Sequence, residues 1–309
     1  MKVAVTGSTG LIGTALVASL RGDGHEVVRV VRGDSAGAGD GPTVRWDLDR
    51  RTIDAAGVEG LDAVVHLAGE GIADKRWTDA QKRRVLESRT VGTSLLAETL
   101  AALSSPPAVL LSGSGIHVYG DRGDEVLPET AGTGTLFLSE VCQAWEAAAQ
   151  PAIDAGIRTA FLRTSMVLDG HGGALGKLLR LFRLGLGGRL GKGRQWMPWI
   201  AIDDEVGAIR FAIDHDDLSG PVNLTAPAPV RNADFTRTLG RVLHRPTVLR
   251  IPRVVAKLPL GVGDLAQSLL FSSAKVMPKA LVDHGYQFRH PELEPALRAA
   301  LATPSFSTQ

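Results

Sequence analysis

Thr6-Gly7-Ser8-Thr9-Gly10-Leu11-Ile12-Gly13 follows the apolar run Val3-Ala4-Val5 and opens a helix-length stretch from about Leu11 to Leu20. In that strand–turn–helix setting each glycine has a task. Gly7 permits a tight turn, Gly10 lets the backbone approach a diphosphate, and Gly13 allows close packing of helix on strand. The free N–H groups and the dipole of the helix then stabilise an anion. Ser8, Thr9, Leu11 and Ile12 complete a turn suited to a dinucleotide cofactor. The bland alternative is a glycine-rich βα turn with no ligand.

Working outward, apolar strand-like runs alternate with helical periodicity. Val27–Val31, Val44–Trp46, Ala63–Leu67, Val109–Ser112 and Thr159–Leu162 read as buried strands. A long helical stretch from about Asp79 to Leu103 stops at Ser104-Ser105-Pro106-Pro107. Strands separated by helix-length segments predict a parallel sheet covered on both faces. The expected fold class is α/β, a Rossmann-type doubly wound sheet with a smaller, mostly helical substrate lobe. The dinucleotide-binding domain is expected over 1–165, with returning elements near 199–225. The substrate lobe takes 166–198 and 226–309. In it, Leu175, Leu178, Leu179, Phe182 and Leu186 mark one helix face, and the C-terminus reads as helical over about 250–302 with breaks at Pro259, Pro278 and Pro291. Residues 303–309 are polar and read as a frayed end.

The 309 residues carry 34 basic and 33 acidic side chains, a net charge of +1, so a global basic field for nucleic acid is not expected. The single cysteine, Cys142, excludes an internal disulfide and two C-x-x-C arms of a zinc site. No metal is predicted. The N-terminus enters a strand at once, and no apolar run approaches a membrane span. A soluble, cytoplasmic protein of a reducing compartment is expected, with neither membrane nor nucleic acid as partner.

At the end of the second strand, Arg32 stands where a guanidinium can clamp a ribose 2′-phosphate, which favours NADP(H) over NAD(H); the alternative is a solvated surface arginine. Asp34 lies beyond that strand end. Asp47, after Arg45-Trp46, is a candidate for the adenine edge or a plain strand-end aspartate.

These residues resemble the extended short-chain dehydrogenase/reductase superfamily, whose turn is T-G-x-x-G-x-x-G. His66-Leu67-Ala68-Gly69 is similar to the strand motif that runs under the cofactor, Val91-Gly92-Thr93 to a helix signature, and Ser112-Gly113-Ser114 before Val118-Tyr119-Gly120 to the serine-bearing strand. The resemblance assigns Leu67, Ala68, Gly69 and Ser112 to the cofactor. It is closer still to the NADP-binding, epimerase-like branch historically labelled cell-division inhibitor homologues. That likeness is carried by residues 67–78 (LAGEGIADKRWT), 119–125 (YGDRGDE), 191–204 (GKGRQWMPWIAIDD) and 221–230 (PVNLTAPAPV).

The superfamily's usual proton relay is Y-x-x-x-K. Of the two tyrosines, Tyr119 is followed four residues on by Gly123 and Tyr286 by His290. At the expected distance stand Phe137 and Val141, and the usual helix asparagine is Arg89. The usual relay is therefore absent. The remaining candidates are Ser114, to hydrogen-bond a substrate carbonyl or alcohol; Glu70, a base or hydroxyl ligand at the sheet's carboxyl edge; and Tyr119, a substitute acid. Each has a bland reading, as turn serine, solvated glutamate and packing tyrosine. Glu140 offers an acid/base on a helix surface. Lys75-Arg76-Trp77 suggests a cation–aromatic lip over substrate or, equally, a packed tryptophan beside a solvated basic pair, and the resemblance implies that Gln195-Trp196 lie in a segment closing on substrate. Trp199 reads as core and Asp204 as a structural helix-start carboxylate.

From Gly170 to Ile202 stand Lys177, Arg180, Arg183, Arg189, Lys192 and Arg194 with no acid, which points to an anionic small-molecule substrate or, equally, to a solvated amphipathic helix with a basic loop. The leading expectation is an NADP(H)-dependent oxidoreductase or epimerase-like enzyme acting on a carbonyl or alcohol. The second is a catalytically silent NADP(H)-binding sensor or scaffold.

Overall fold

The computed structural model of the chain describes residues 1–33, 41–72, 75–252 and 271–302. The elements expected first are present, β1 (Lys2–Thr6), α1 (Leu11–Gly22), β2 (Glu26–Arg32) and β3 (Thr43–Asp47), followed by a short β4 (Thr52–Ile53) that was not expected, then β5 (Ala63–His66), α2 (Asp79–Ala101) and β6 (Val109–Gly115). Then come β7 (Val126–Leu127), α3 (Phe137–Ala147), α4 (Gln150–Asp154), β8 (Arg158–Thr164), β9 (Met166–Leu168), α5 (Gly173–Arg183), β10 (Gly188–Leu190), β11 (Trp196–Met197), β12 (Trp199–Ala201), α6 (Ile202–Asp214) and β13 (Gly220–Leu224). The last are β14 (Val230–Arg231), α7 (Asn232–Leu243), β15 (Leu249–Ile251), β16 (Lys275–Val276), α8 (Lys279–Asp283) and α9 (Leu293–Ala302).

An eight-stranded sheet runs in the order β13-β8-β6-β5-β1-β2-β3-β4. β1 pairs in parallel with β2 and β5, β2 with β3, and β5 with β6. Val3, Ala4 and Val5 are buried, as are Val64 and Val65, so neither face of these strands meets water. The order reverses at β1, where β2 lies on one side and β5 on the other. In such sheets ligands bind at the strands' carboxyl ends near this switch.

The chain forms two compact units. The first comprises Met1–Gly115, Glu140–Arg163 and Ala208–Val222. One side of its core joins Val30, Val44, Trp46, Val64, Leu96, Leu100 and Leu110. The second comprises Ile116–Ser139, Thr164–Gly207 and Asn223–Gln309. Its core joins Leu168, Leu175, Leu179, Phe182, Trp199, Phe235, Leu239 and Leu297. Residues 116–139, expected with the dinucleotide domain, group with the second unit.

One expectation needs correcting. β12 does not return to the large sheet: it pairs in parallel with β9, Trp199 opposite Met166. β13 does return and occupies the edge beside β8. With that edge taken, the chain leaves at Ser165, whose N–H donates to Leu224 O, and Met166 N–H turns to Pro198 O.

The C-terminal part is less helical than expected where it is described. β15 and β16 precede two helices, α8 after Pro278 and α9 after Pro291. β15 pairs with β10, and β16 with β7. Asp34, Pro259 and the frayed end over 303–309 lie outside the described residues. Asp204 is fully buried and its Oδ1 accepts the Arg289 N–H at 2.7 Å while Oδ2 accepts the His290 N–H at 2.8 Å. The Tyr286 hydroxyl donates to the same carboxylate at 3.2 Å. That is the structural role expected of it, extended to holding residues 286–290. Among the described residues no helix is long and apolar enough to cross a membrane, and no three metal-ligating side chains cluster.

Candidate active site

The phosphate turn is built by close approach. Gly7 sits at φ +65°, and a Cβ there would come within 2.8 Å of Leu67 C. A Cβ on Gly13 would lie 2.2 Å from Gly7 O, so only glycine lets α1 seat on the turn. Gly10 N–H donates back to Gly7 O at 2.9 Å. The N-terminus of α1 has neither a side-chain cap nor an acidic residue in its first turn. Its N–H groups and dipole thus lack a counter-charge within the helix, the arrangement that suits a diphosphate. Arg32 is exposed at the carboxyl end of β2. Asp47 is half-buried, and its Oδ1 accepts the N–H groups of Asp49 at 3.0 Å and Arg50 at 2.9 Å, closing the turn between β3 and β4.

Leu67 and Ala68 are fixed by a buried network. Both N–H groups donate to Thr6 Oγ1, at 3.0 and 3.1 Å. With its lone pairs taken, Thr6 gives its own proton to His66 Nδ1 at 2.7 Å, so Nε2 carries the ring proton and donates to Thr93 Oγ1 at 2.9 Å. Burial, reinforced by the Arg89 charge, pushes the His66 pKa down to about 4. The ring is neutral at physiological pH.

Midway along β6, Ser112 is fully buried and its Oγ meets no partner among the described residues. Ser114 is also buried, and its hydroxyl donates to Glu146 Oε1 at 2.7 Å. Glu146 comes from α3 and is clamped by Arg163 of β8 through Nε at 2.8 Å and Nη2 at 2.9 Å. Serine, carboxylate and guanidinium form one chain within the first unit, with side-chain exposures of 14% for Glu146 and 6% for Arg163. Sequence reasoning missed Glu146. Its signal was spacing: it lies one turn after Cys142 on a helix whose Leu138, Val141, Cys142 and Trp145 are all buried.

The other candidates disperse. Glu70 Oε1 accepts from Lys75 Nζ at 2.9 Å, which holds its carboxyl below the ordinary range; a hydrogen bond from Gln81 adds to this. A general base works best near the ambient pH, so this geometry suits Glu70 to accepting a hydroxyl's hydrogen bond. Trp77 donates from Nε1 to Ile72 O at 2.8 Å, and Lys82 Nζ lies over its ring at 5.9 Å from the centroid. Lys75 and Arg76 are exposed beside it. Tyr119, in the second unit, has no exposed surface and its hydroxyl donates to Asn223 Oδ1 at 2.7 Å. Asn223 in turn donates to Met277 O at 2.9 Å, so this tyrosine is tied into a buried polar cluster. Also in that unit, Gln195 is buried, while Trp196 donates to Asp124 at 2.8 Å. The Trp196 ring carries Arg231 at 4.3 Å and Lys275 at 4.9 Å. Neither partner was foreseen. The six basic residues from Lys177 to Arg194 are all exposed.

A further buried acid lies in the second unit. Glu205 is fully buried at the start of α6, and burial raises its pKa to about 8, although Thr164 donates to it at 2.7 Å.

The family described as NAD dependent epimerase/dehydratase matches residues 3–224, more than half of the chain. The chain belongs to that family. A domain of unknown function, DUF1731, matches residues 251–300 of this epimerase/dehydratase chain. Epimerase family protein Mb2239 of Mycobacterium bovis is 41% identical over 302 residues, spanning 98% of each chain. Human epimerase family protein SDR39U1 is 35% identical, spanning 98% of this chain and all of that one. The crystal structure of human SDR39U1, isoform 2, solved with NADPH, superposes with a TM-score of 0.87 over 97% of this chain and 99% of that chain, at 36% identity. A nucleoside-diphosphate sugar epimerase from Corynebacterium glutamicum gives 0.79 at 37% identity, over 97% of this chain and 58% of that one. The epimerase/dehydratase fold is thus the Rossmann-type α/β fold expected from the glycine turn.

Proposed function

We propose that this protein is an NADP(H)-dependent oxidoreductase or epimerase-like enzyme acting on a carbonyl or alcohol of a small substrate, and that it works without the Y-x-x-x-K relay. The observation that carries the reading is the hydrogen bond from Ser114 to Glu146, with Glu146 clamped by Arg163. The turn at Gly7, Gly10 and Gly13 would hold the diphosphate, Leu67–Gly69 would run beneath the cofactor, and Arg32 would meet the 2′-phosphate. NADPH on the human relative supports that choice. Bound there, the nicotinamide supplies or accepts a hydride at C4.

The chain's own contribution is orientation and proton handling. Ser114 Oγ points its proton at Glu146 and keeps its lone pairs for a substrate hydroxyl. As the alcohol is oxidised, its proton passes to Ser114 Oγ while the serine proton passes to Glu146. In the reverse direction both protons move back. Arg163 holds the carboxylate in position through two parallel hydrogen bonds, a geometry that fixes orientation as well as charge. Glu70, beyond β5, would accept a second substrate hydroxyl. The exposed basic residues from Lys177 to Arg194 favour an anionic substrate. A cytoplasmic location fits the single buried cysteine.

The test is a screen of aldehydes, ketones and alcohols followed by NADPH absorbance, with Ser114→Ala and Glu146→Gln beside the wild type. Turnover of one class is expected, with kcat falling about 100-fold or more in each variant and NADPH affinity held within threefold. Arg32→Ala is expected to weaken NADPH and leave NADH unchanged. Tight NADPH binding with no turnover across the classes would favour the silent sensor. What supports that second reading is the Tyr119 hydroxyl buried against Asn223, together with the resemblance that puts Phe137 and Val141 at the relay positions.

A further inference from the structure

Arg89 of α2 is 7% exposed, and no carboxylate pairs with it among the described residues. Its Nη1 donates to two backbone carbonyls, Val85 O and Glu70 O, both at 3.0 Å. The nearby carboxylate of Glu70 is taken by Lys75. Nε and Nη2 make no hydrogen bond among the described residues and keep some contact with solvent. One face of the guanidinium stacks on Trp145 at 4.8 Å from the ring centroid. Its other neighbour is Gly69, where a Cβ would come within 3.1 Å of Cζ. Burial pushes the Arg89 pKa down from its ordinary value, yet arginine keeps its charge in proteins.

A buried charge without a counter-ion is costly, and removing its water is offset only in part by two carbonyls and one ring. The position of the charge says what completes it. Gly69 continues Leu67–Ala68, the strip against which Gly7 of the phosphate turn is pressed. On the other side, the Trp145 ring lies so close to Gly113 that a Cβ there would be 2.8 Å from it, and Gly113 precedes Ser114. The cation is thus linked by direct contacts to the strip under the phosphate turn on one side and, through Trp145, to the residue before Ser114 on the other, all within the first unit.

We propose that Arg89 is an anion-binding residue whose counter-charge arrives with the ligand, an oxyanion of the phosphate or carboxylate class gripped by the free side of the guanidinium fork. This rests on the dinucleotide site proposed above. The oxyanion has two sources: the cofactor's own diphosphate, or an anionic group of the substrate. The fork geometry suits either.

Two titrations separate the sources, with Arg89→Met, Arg89→Lys and the exposed control Arg83→Met on the same helix. In the first, NADPH binding is measured by calorimetry. In the second, inorganic phosphate is titrated into protein saturated with NADPH, at constant ionic strength, and the thermal midpoint is followed. A tenfold or greater loss of NADPH affinity in Arg89→Met alone assigns the charge to the cofactor. Unchanged NADPH affinity with loss of the phosphate-induced rise assigns it to the substrate. In either case Arg89→Lys recovers part of the effect and Arg83→Met behaves as wild type. Wild-type values for Arg89→Met in both titrations overturn the proposal. Should Arg89→Met fail to fold, Arg89→Lys is read in its place, a threefold loss in one titration supporting the proposal and none overturning it. Neither titration needs turnover, so a silent carbonyl screen leaves this result standing.

Discussion

At His66 the ring is sealed from water and its two nitrogens are divided between Thr6 and Thr93. Burial disfavours the charged ring and the Arg89 charge adds to this, so the folded pKa of about 4 lies below the ordinary 6.5. The unfolded chain therefore binds a proton first on acidification, and stability is lost between about pH 6.5 and 4. The linked free energy is at most about 3 kcal/mol. Glu205 has the opposite sign. Its folded pKa of about 8 lies above the ordinary 4.5, so stability is full below pH 4.5 and is lost as pH rises through 8. The ceiling there is about 5 kcal/mol. Urea unfolding at a series of pH values is expected to show His66→Gln flattening the acid limb only and Glu205→Gln the alkaline limb only. Parallel limbs in variant and wild type would remove these residues as the cause. At this scale the sequence was least legible. His66 was read for its motif, and nothing in the order of residues said that Thr6 and Thr93 would close around it.

On the element scale, α1 is a helix that can begin only where it does because Gly13 has no side chain. Gly13→Ala places a carbon against Gly7 O and is expected to cost about 1–3 kcal/mol by overpacking, with NADPH affinity falling at least tenfold. Gly22 ends the same helix with nothing within 4 Å of its missing Cβ. Gly22→Ala is expected to add about 0.5–1 kcal/mol by restricting the unfolded chain. Denaturation midpoints of the two variants should move in opposite directions, and movement in the same direction would refute the packing account. This element was legible because phosphate turns need glycines at fixed offsets from a strand. α3 was legible as a helix but not as a source of chemistry. Glu146 shares its helix with the buried Leu138, Val141 and Trp145, and nothing in the order of residues says that its carboxylate meets Ser114. Likewise β12 read as a strand, while its partner depended on which edge of the sheet was already taken.

Across the whole molecule, what the residues announced was the class of ligand rather than the reaction. Near-equal charges conceal local imbalances: an exposed Arg32, a buried Arg89 and six exposed cations over 177–194. Each is a different kind of positive charge, and only the folded chain sorts them. Periodicity placed the parallel sheet and the start of the second core. It said nothing of Arg231 and Lys275 flanking Trp196, because those residues are far apart in sequence and meet only after folding.

The solitary thiol carries one more consequence. Cys142 lies on α3 beside Glu146, with burial and then the Glu146 charge pushing its pKa up to about 12. A thiol attacks a disulfide reagent only as a thiolate that the reagent can reach, so in native protein Cys142 should be silent. Its labelling rate then becomes an internal clock for the opening of α3, read at a single sulfur with no competing site. NADPH is expected to slow that clock if the α3 face closes on ligand, and an unchanged rate at saturation would show that the helix opens independently of the bound cofactor.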